Sequence, residues 1–418
     1  MKWYEQSEYV LLLLTTMTSP LSWRLATVGM ILLGVNGIVK AVKARHVGNP
    51  ALGSVARWCC AAMITLFVVY LVSGLASDNR AYGLDVAFSK VYFLVFPLLA
   101  LLSDTRYLTH KHIHGILYTL WLTLIVLFLV RSGVTIVKMI GGTPMKDLLD
   151  EHFYYIQHTY VALYISIAMA FAATELVRLL TDKKDKTKHK TRTIVLLAVG
   201  ELMLTLFSMA INSRAGILAI ILIGLATLGY LTWSTRNWRL VLAATALVAA
   251  CATGLFFLQP ESRHRLTKTV EDVSGDTPRD DRLKLTRYGL ETARYNMEGW
   301  QWMFGLGEGD MKEYLYERYA AHGFKFGLTK GGARTHNQYL DTFLGCGFVG
   351  LAVLLLMLLL PLRHNRRQQK YDRLVVPSVV LPTLLILITE MMLVRQAGIV
   401  FIAFIYYILI LWKSKAES

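Results

Sequence analysis

The chain has 418 residues, of which 55% are hydrophobic and only 17% charged, with a mean hydropathy of +0.46. A soluble domain of this size carries more charge, so these values exclude an ordinary soluble protein and predict an all-α polytopic membrane protein. The formal net charge of +16 is not a nucleic-acid footprint, because the basic residues cluster in short loops on alternate connections, as the positive-inside rule expects.

Apolar runs near the ~20 residues that cross a bilayer predict about twelve transmembrane helices. They fall at residues 9–22, 25–42, 58–76, 91–103, 114–131, 159–180, 194–212, 215–233, 240–257, 340–362, 374–393 and 399–412. The first is interrupted by Ser19-Pro20, and the fourth is expected to begin upstream, near Ala87. The first run passes straight into further spans, so it reads as a span and not as a cleaved leader. Three blocks follow: 1–257 with the first nine helices, a hydrophilic loop at 258–339, and 340–418 with the last three helices and a short tail. Cys59, Cys60, Cys251 and Cys346 lie in or beside apolar runs without disulfide or metal spacing, and read as small hydrophobes.

Lysine and arginine set the orientation. Lys40, Lys43, Arg45 and Arg57, then Arg106 and Lys111, then the cluster from Lys183 to Arg192, then Arg236 and Arg239, and finally Arg363 to Arg373 fall on even-numbered connections. This places both termini in the cytoplasm and the 258–339 loop outside, in the periplasm of a Gram-negative cell. Within the loop, Leu283 to Trp302 has helical spacing, with Leu283, Tyr288, Leu290, Tyr295 and Met297 on one apolar side. Gly305 to Gly309 breaks it, and Met311 to Ala321 forms a second helix.

Several polar residues fall at the outer face. Arg214 begins a span after almost no loop. An Arg there either snorkels to lipid phosphate or holds a functional anion. Arg282 and Arg287 can each pair with Asp280, Asp281 or Glu291, or supply a planar fork to a phosphate. His336, beside Arg334, Asn337, Gln338 and Tyr339 at the membrane entry, can take a proton from a hydroxyl. Glu308 with Asp310, and Asp280 with Asp281, offer weak signals for a divalent metal. Glu201 and Glu390 lie within spans, where carboxylates often mark ion paths, the best case for a transporter.

Ser213-Arg214-Ala215-Gly216 at an outer hairpin, Arg282 early in the long loop, Gly305-Leu306-Gly307, and His336-Asn337 before the next span together resemble the O-antigen ligase family. That family also contains O-antigen polymerases and bacterial protein O-oligosaccharyltransferases. The resemblance implies a GT-C-like glycosyltransferase bundle with one large, partly helical periplasmic loop. It implies transfer of a glycan from undecaprenyl pyrophosphate to lipid A–core oligosaccharide, at the periplasmic face of the inner membrane, with inversion and with neither cofactor nor metal. The family's essential residues fall on Arg214, Arg282 and His336. Arg287 and Arg334 are expected to add to the pyrophosphate site, and Asn337, Gln338, Tyr339 and His158 to the substrate pocket. Expected partners are the lipid-linked donor, the lipid A–core acceptor and membrane lipids, with no nucleic acid.

The orientation is checked by Ser274→Cys in the long loop. The new thiol should react with an impermeant reagent in intact spheroplasts; labelling only after lysis would reverse the topology.

Overall fold

A computed structural model describes residues 2–44, 48–142, 158–181, 190–211, 214–235, 281–329, 334–367 and 374–412. Among these the regular elements are all helical: α1 (Trp3–Thr18), α2 (Trp23–Ala44), α3 (Ser54–Ala76), α4 (Arg80–Ser89), α5 (Tyr92–Leu102), α6 (His110–Ile140), α7 (His158–Thr181), α8 (Lys190–Ile211) and α9 (Arg214–Thr235). Then follow α10 (Asp281–Asn296), α11 (Gln301–Phe304), α12 (Met311–Ala321), α13 (Lys325–Thr329), α14 (Gln338–Leu359), α15 (Val375–Thr389) and α16 (Gln396–Leu411), with a 3-10 turn at Leu360–Arg367. The protein is a polytopic helical membrane protein.

Each predicted span within the described residues carries a helix, and the one at 240–257 lies outside them. The count of twelve does not carry over. Among the described residues six helices are long and apolar enough to cross a bilayer (α2, α3, α6, α7, α8 and α14), or seven if the bent pair α4–α5 is one span. The apolar part of α9, α15 and α16 are shorter. The first predicted span ends early: α1 stops at Thr18, just before Ser19-Pro20, and buries Glu8 against Lys40 of α2. The fourth begins at Arg80 and bends by 41° between α4 and α5. Lys90 sits in that break, its Nζ donating to the Val86 carbonyl at 3.1 Å and lying 4.3 Å above the Tyr70 ring.

Two helices form the centre. α16 is buried from Ala397 to Trp412 and packs against α2, α3 and α5. α7 is buried over most of its length and packs against α6, α8, α9 and α15. A helix apolar on every side suits either the centre of a bundle or contact with lipid, and the burial of α16 places it at the centre. By contrast α2, α6 and α8 leave Ile38, Val137 and Leu196 exposed, a surface suited to lipid.

The segment before α14 is built on backbone contact. Gly347 has φ +65°, which breaks α14 and frees carbonyls of its preceding turn. The turn after α11 fills that gap: Leu306 N–H donates to Leu344 O at 2.8 Å and Gly307 N–H to Gly345 O at 3.2 Å. Ser73 Oγ from α3 donates to the same Gly345 carbonyl at 2.7 Å. A broken span is tolerated only where such partners satisfy the freed groups. Gly305 has φ +85° and ψ 179°, a region almost reserved for glycine, and a Cβ there would strike the Gly345 carbonyl.

The predicted apolar face of the loop helix is corrected. Leu283, Leu290 and Tyr295 are exposed, and α10 instead buries Leu285, Gly289, Thr292 and Ala293, with Met297 just beyond its end. Gly289 lies against the Thr335 and Leu340 side chains, and a Cβ there would crowd both. α10 also ends at Asn296, short of Trp302, whereas α12 has the predicted bounds.

Gly305→Ala should therefore destabilise the detergent-purified protein by at least the ~1–3 kcal/mol of an unfavourable backbone region, read as a lower melting temperature. Unchanged melting would show that the turn can leave α14.

Candidate active site

One residue in the entry to α14 has unusual backbone. His336 has φ +52°, the one positive φ outside glycine among the described residues. A left-handed residue of this kind costs about 1–2 kcal/mol, so its surroundings must impose it. Asn337 caps α14, its Oδ1 accepting from Leu340 N–H at 3.0 Å. Thr335 Oγ donates to the Asn337 carbonyl at 2.9 Å, spanning His336. On the other side Thr286 Oγ of α10 donates to the Thr335 carbonyl at 3.2 Å. The imidazole is turned out of this clamp and remains 23% exposed.

What it meets is Glu390, the residue that ends α15. Glu390 Oε2 lies 3.5 Å from His336 Nδ1, and Oε1 lies 2.8 Å from an Nη of Arg282 in the first turn of α10. The carboxylate is only 7% exposed, yet neither contact has hydrogen-bond alignment. Three segments distant in sequence thus bring together a cation, a carboxylate and an imidazole. Arg282 and His336 were candidates from sequence. From sequence Glu390 reads only as an ion-path acid within a span. The signal that could have found it is its place at the end of a span whose parity matches the side of His336.

The other candidates are placed differently. Arg334 is buried, its Nε donating to Asp341 at 2.7 Å and an Nη to Glu308 at 2.9 Å. A guanidinium holding two carboxylates in the interior is a structural clasp, contrary to the pyrophosphate contact expected of it. Gln338 and Tyr339 likewise act in packing. Gln338 accepts from Leu393 N–H at 2.7 Å and donates to Thr342 at 3.1 Å, while Tyr339 donates to the Leu384 carbonyl at 2.9 Å. Both fix α14 to the segment that carries Glu390, so they position the site without lining it. Arg287 pairs with Glu291 at 3.2 Å, and Glu291 also meets His322 at 2.9 Å.

Arg214 opens α9, which packs against α7 and α15, and His158 opens α7. The side chains of both lie outside the described residues. The α7 start is beside the site: Gly398 lies against both the Met392 carbonyl and the Tyr160 ring.

The acidic pair is occupied by the protein itself. Glu308 serves Arg334, and its N–H donates to Ser73 Oγ at 3.0 Å. Both Asp310 oxygens accept backbone N–H groups, from Asp78 at 2.8 Å and Asn79 at 2.9 Å. Asp281 lies 3.8 Å from Lys284, and Asp280 is outside the described residues. Among the described residues no three His, Cys, Asp or Glu side chains gather as for a metal. Glu201, the other acid weighed as an ion-path candidate, sits beside Trp121, where α8 meets α6.

A helical membrane protein with a polar site where a loop re-enters the bundle is a reasonable frame for chemistry on a membrane-anchored substrate. A family model described as O-antigen ligase matches residues 199–355, from α8 through most of α14, and is the family that the sequence resemblance named. No curated protein matches the chain.

Arg334→Ala would leave Glu308 and Asp341 buried without their cation. Losses of about 3–5 kcal/mol are typical of such half-broken pairs. The expected result is a large drop in folded yield and melting temperature. A variant that melts normally but loses only glycan transfer would return Arg334 to substrate binding.

Proposed function

We propose that the protein is an O-antigen ligase: a lipid-linked oligosaccharide glycosyltransferase that moves a glycan from undecaprenyl pyrophosphate to lipid A–core oligosaccharide at the periplasmic face of the inner membrane. The family match supports a glycan-transferring enzyme of the ligase or polymerase type. The observation that carries the site is Arg282 and His336 converging on Glu390. In this reading the acceptor hydroxyl oxygen attacks the anomeric carbon. The carbon–oxygen bond to the diphosphate breaks with its electron pair on the departing oxygen, and the hydroxyl proton passes to His336. Attack opposite the leaving group inverts the anomeric centre.

Arg282, with Arg214 at the start of α9, meets the negative charge that develops on the diphosphate, where fixed cations lower the barrier most. Planar guanidinium suits the paired oxygens. No metal or other cofactor is invoked. A polymerase or a protein O-oligosaccharyltransferase would use the same donor chemistry with another acceptor. The transporter reading is less well supported, because Glu390 is held between Arg282 and His336.

The test is transfer by purified protein supplied with lipid-linked glycan and lipid A–core, in the presence of chelator. His336→Asn is the informative variant: asparagine tolerates the left-handed backbone but cannot accept the proton. Transfer should fall by on the order of 10²-fold or more with melting unchanged. A folded variant with near-normal transfer would remove His336 as the base. Movement of glycan across vesicles without transfer would favour the transporter.

A further inference from the structure

Glu390 is a buried carboxylate with two unequal and imperfect contacts. Its Oε1 is 2.8 Å from Arg282 without hydrogen-bond alignment, and its Oε2 is 3.5 Å from His336 Nδ1, beyond the usual 2.7–3.2 Å range for N–H···O. Arg282 is 38% exposed, so an incoming anion can reach the guanidinium that Glu390 now occupies. Carboxylate and phosphate oxygens compete for the same donor fork, and a diphosphate brings more charge than one carboxylate.

We propose that Glu390 stands in for the donor's diphosphate on Arg282, and that the arriving donor displaces it toward His336. The inference rests on the proposed transfer reaction. Once released from Arg282, Glu390 has His336 as its nearest partner, and a shift of well under 1 Å closes 3.5 Å to hydrogen-bonding length. A carboxylate accepting Nδ1–H fixes the imidazole tautomer with a bare Nε2. Nε2 then takes the acceptor's hydroxyl proton as the anomeric bond to diphosphate breaks. Donor binding thereby arms the base, and the imidazole is not poised to activate a hydroxyl, or water, before a glycan is in place. Glu390 touches neither substrate in this scheme; it is a positioning residue.

The geometry demands opposite effects on binding and turnover. Glu390→Gln in the full-length purified protein removes the competitor from Arg282 and the charged partner from His336. Inorganic pyrophosphate, titrated by calorimetry, should bind about tenfold more tightly than to wild type, and KM for the lipid-linked donor should fall. Over the same comparison kcat should fall on the order of 10²-fold. A structural role would lower folded yield or weaken binding and would not tighten it. Pyrophosphate affinity unchanged or weaker in a folded Glu390→Gln overturns the proposal. If that variant does not fold, Glu390→Asp replaces it: the shorter carboxylate retreats from Arg282, and tighter pyrophosphate with slower turnover is again required. Arg282→Ala separates the two readings. Pyrophosphate binding lost there but not tightened in Glu390→Gln ends the placeholder and leaves the transfer site standing. Binding and transfer both intact in Arg282→Ala end the transfer site as assigned, and the placeholder with it.

Discussion

Four charges buried beneath the α14 entry hold the site together. Arg334 binds Glu308 and Asp341 directly, and Lys90 lies within electrostatic reach of both acids while covering the Tyr70 ring. Tyr70 in turn hydrogen-bonds Thr342 at 2.8 Å. Burying any one of these charges alone would be prohibitive, and the group is tolerable because each cation has a carboxylate in reach. Its members come from the α4–α5 break, the turn after α11, the loop before α14 and α14 itself. The charge group therefore ties those four segments to one another. The left-handed His336 lies two residues after Arg334, between this anchor and the Asn337 cap of α14.

The same residue type does two jobs here, and burial separates them. Arg334 is 7% exposed and saturated by two carboxylates; Arg282 is 38% exposed and shares one carboxylate with an imidazole. A saturated interior cation has nothing left to offer a substrate. A cation at the site's edge, held by a carboxylate in poor alignment, stays accessible to a more highly charged anion that can compete for the same fork. The acidic residues divide in the same way: Glu308 and Asp310 are committed to Arg334 and to backbone amides, and Glu390 is not fully committed to anything.

Much of this was legible in the sequence. Apolar run length placed a helix at each predicted span that can be compared, and the position of His336 and Arg282 at the borders of the long loop marked them for polar chemistry. What failed was anything decided by partners far along the chain. Among the described residues the predicted spans at 374–393 and 399–412 are carried by α15 and α16, most of whose apolar residues are buried against other helices and which are shorter than the six helices long enough to cross a bilayer. The buried face of α10 differs from the predicted one because Gly289 and Ala293 carry little hydrophobic signal, although both are buried and Gly289 lies against Thr335 and Leu340. Arg334 and Arg282 cannot be told apart by composition: each has acidic residues nearby in sequence, and only folding shows that Arg334 faces Asp341 while Arg282 reaches Glu390.

Helix polarity adds to the tension at Glu390. It terminates α15, and a carboxylate at a helix C-terminus opposes the dipole by about 0.3–1 kcal/mol. Arg282 and His336 lie near the start of α10 and α14, whose N-terminal ends favour negative charge. The carboxylate therefore stays by virtue of the opposing helices and their side chains, against the preference of its own. An arriving diphosphate would satisfy those same N-terminal ends with greater charge and leave Glu390 with the imidazole as its remaining partner. The electrostatics of three helices that meet at one end of the bundle thus favour exchange of one anion for another, and that bias comes from the fold itself.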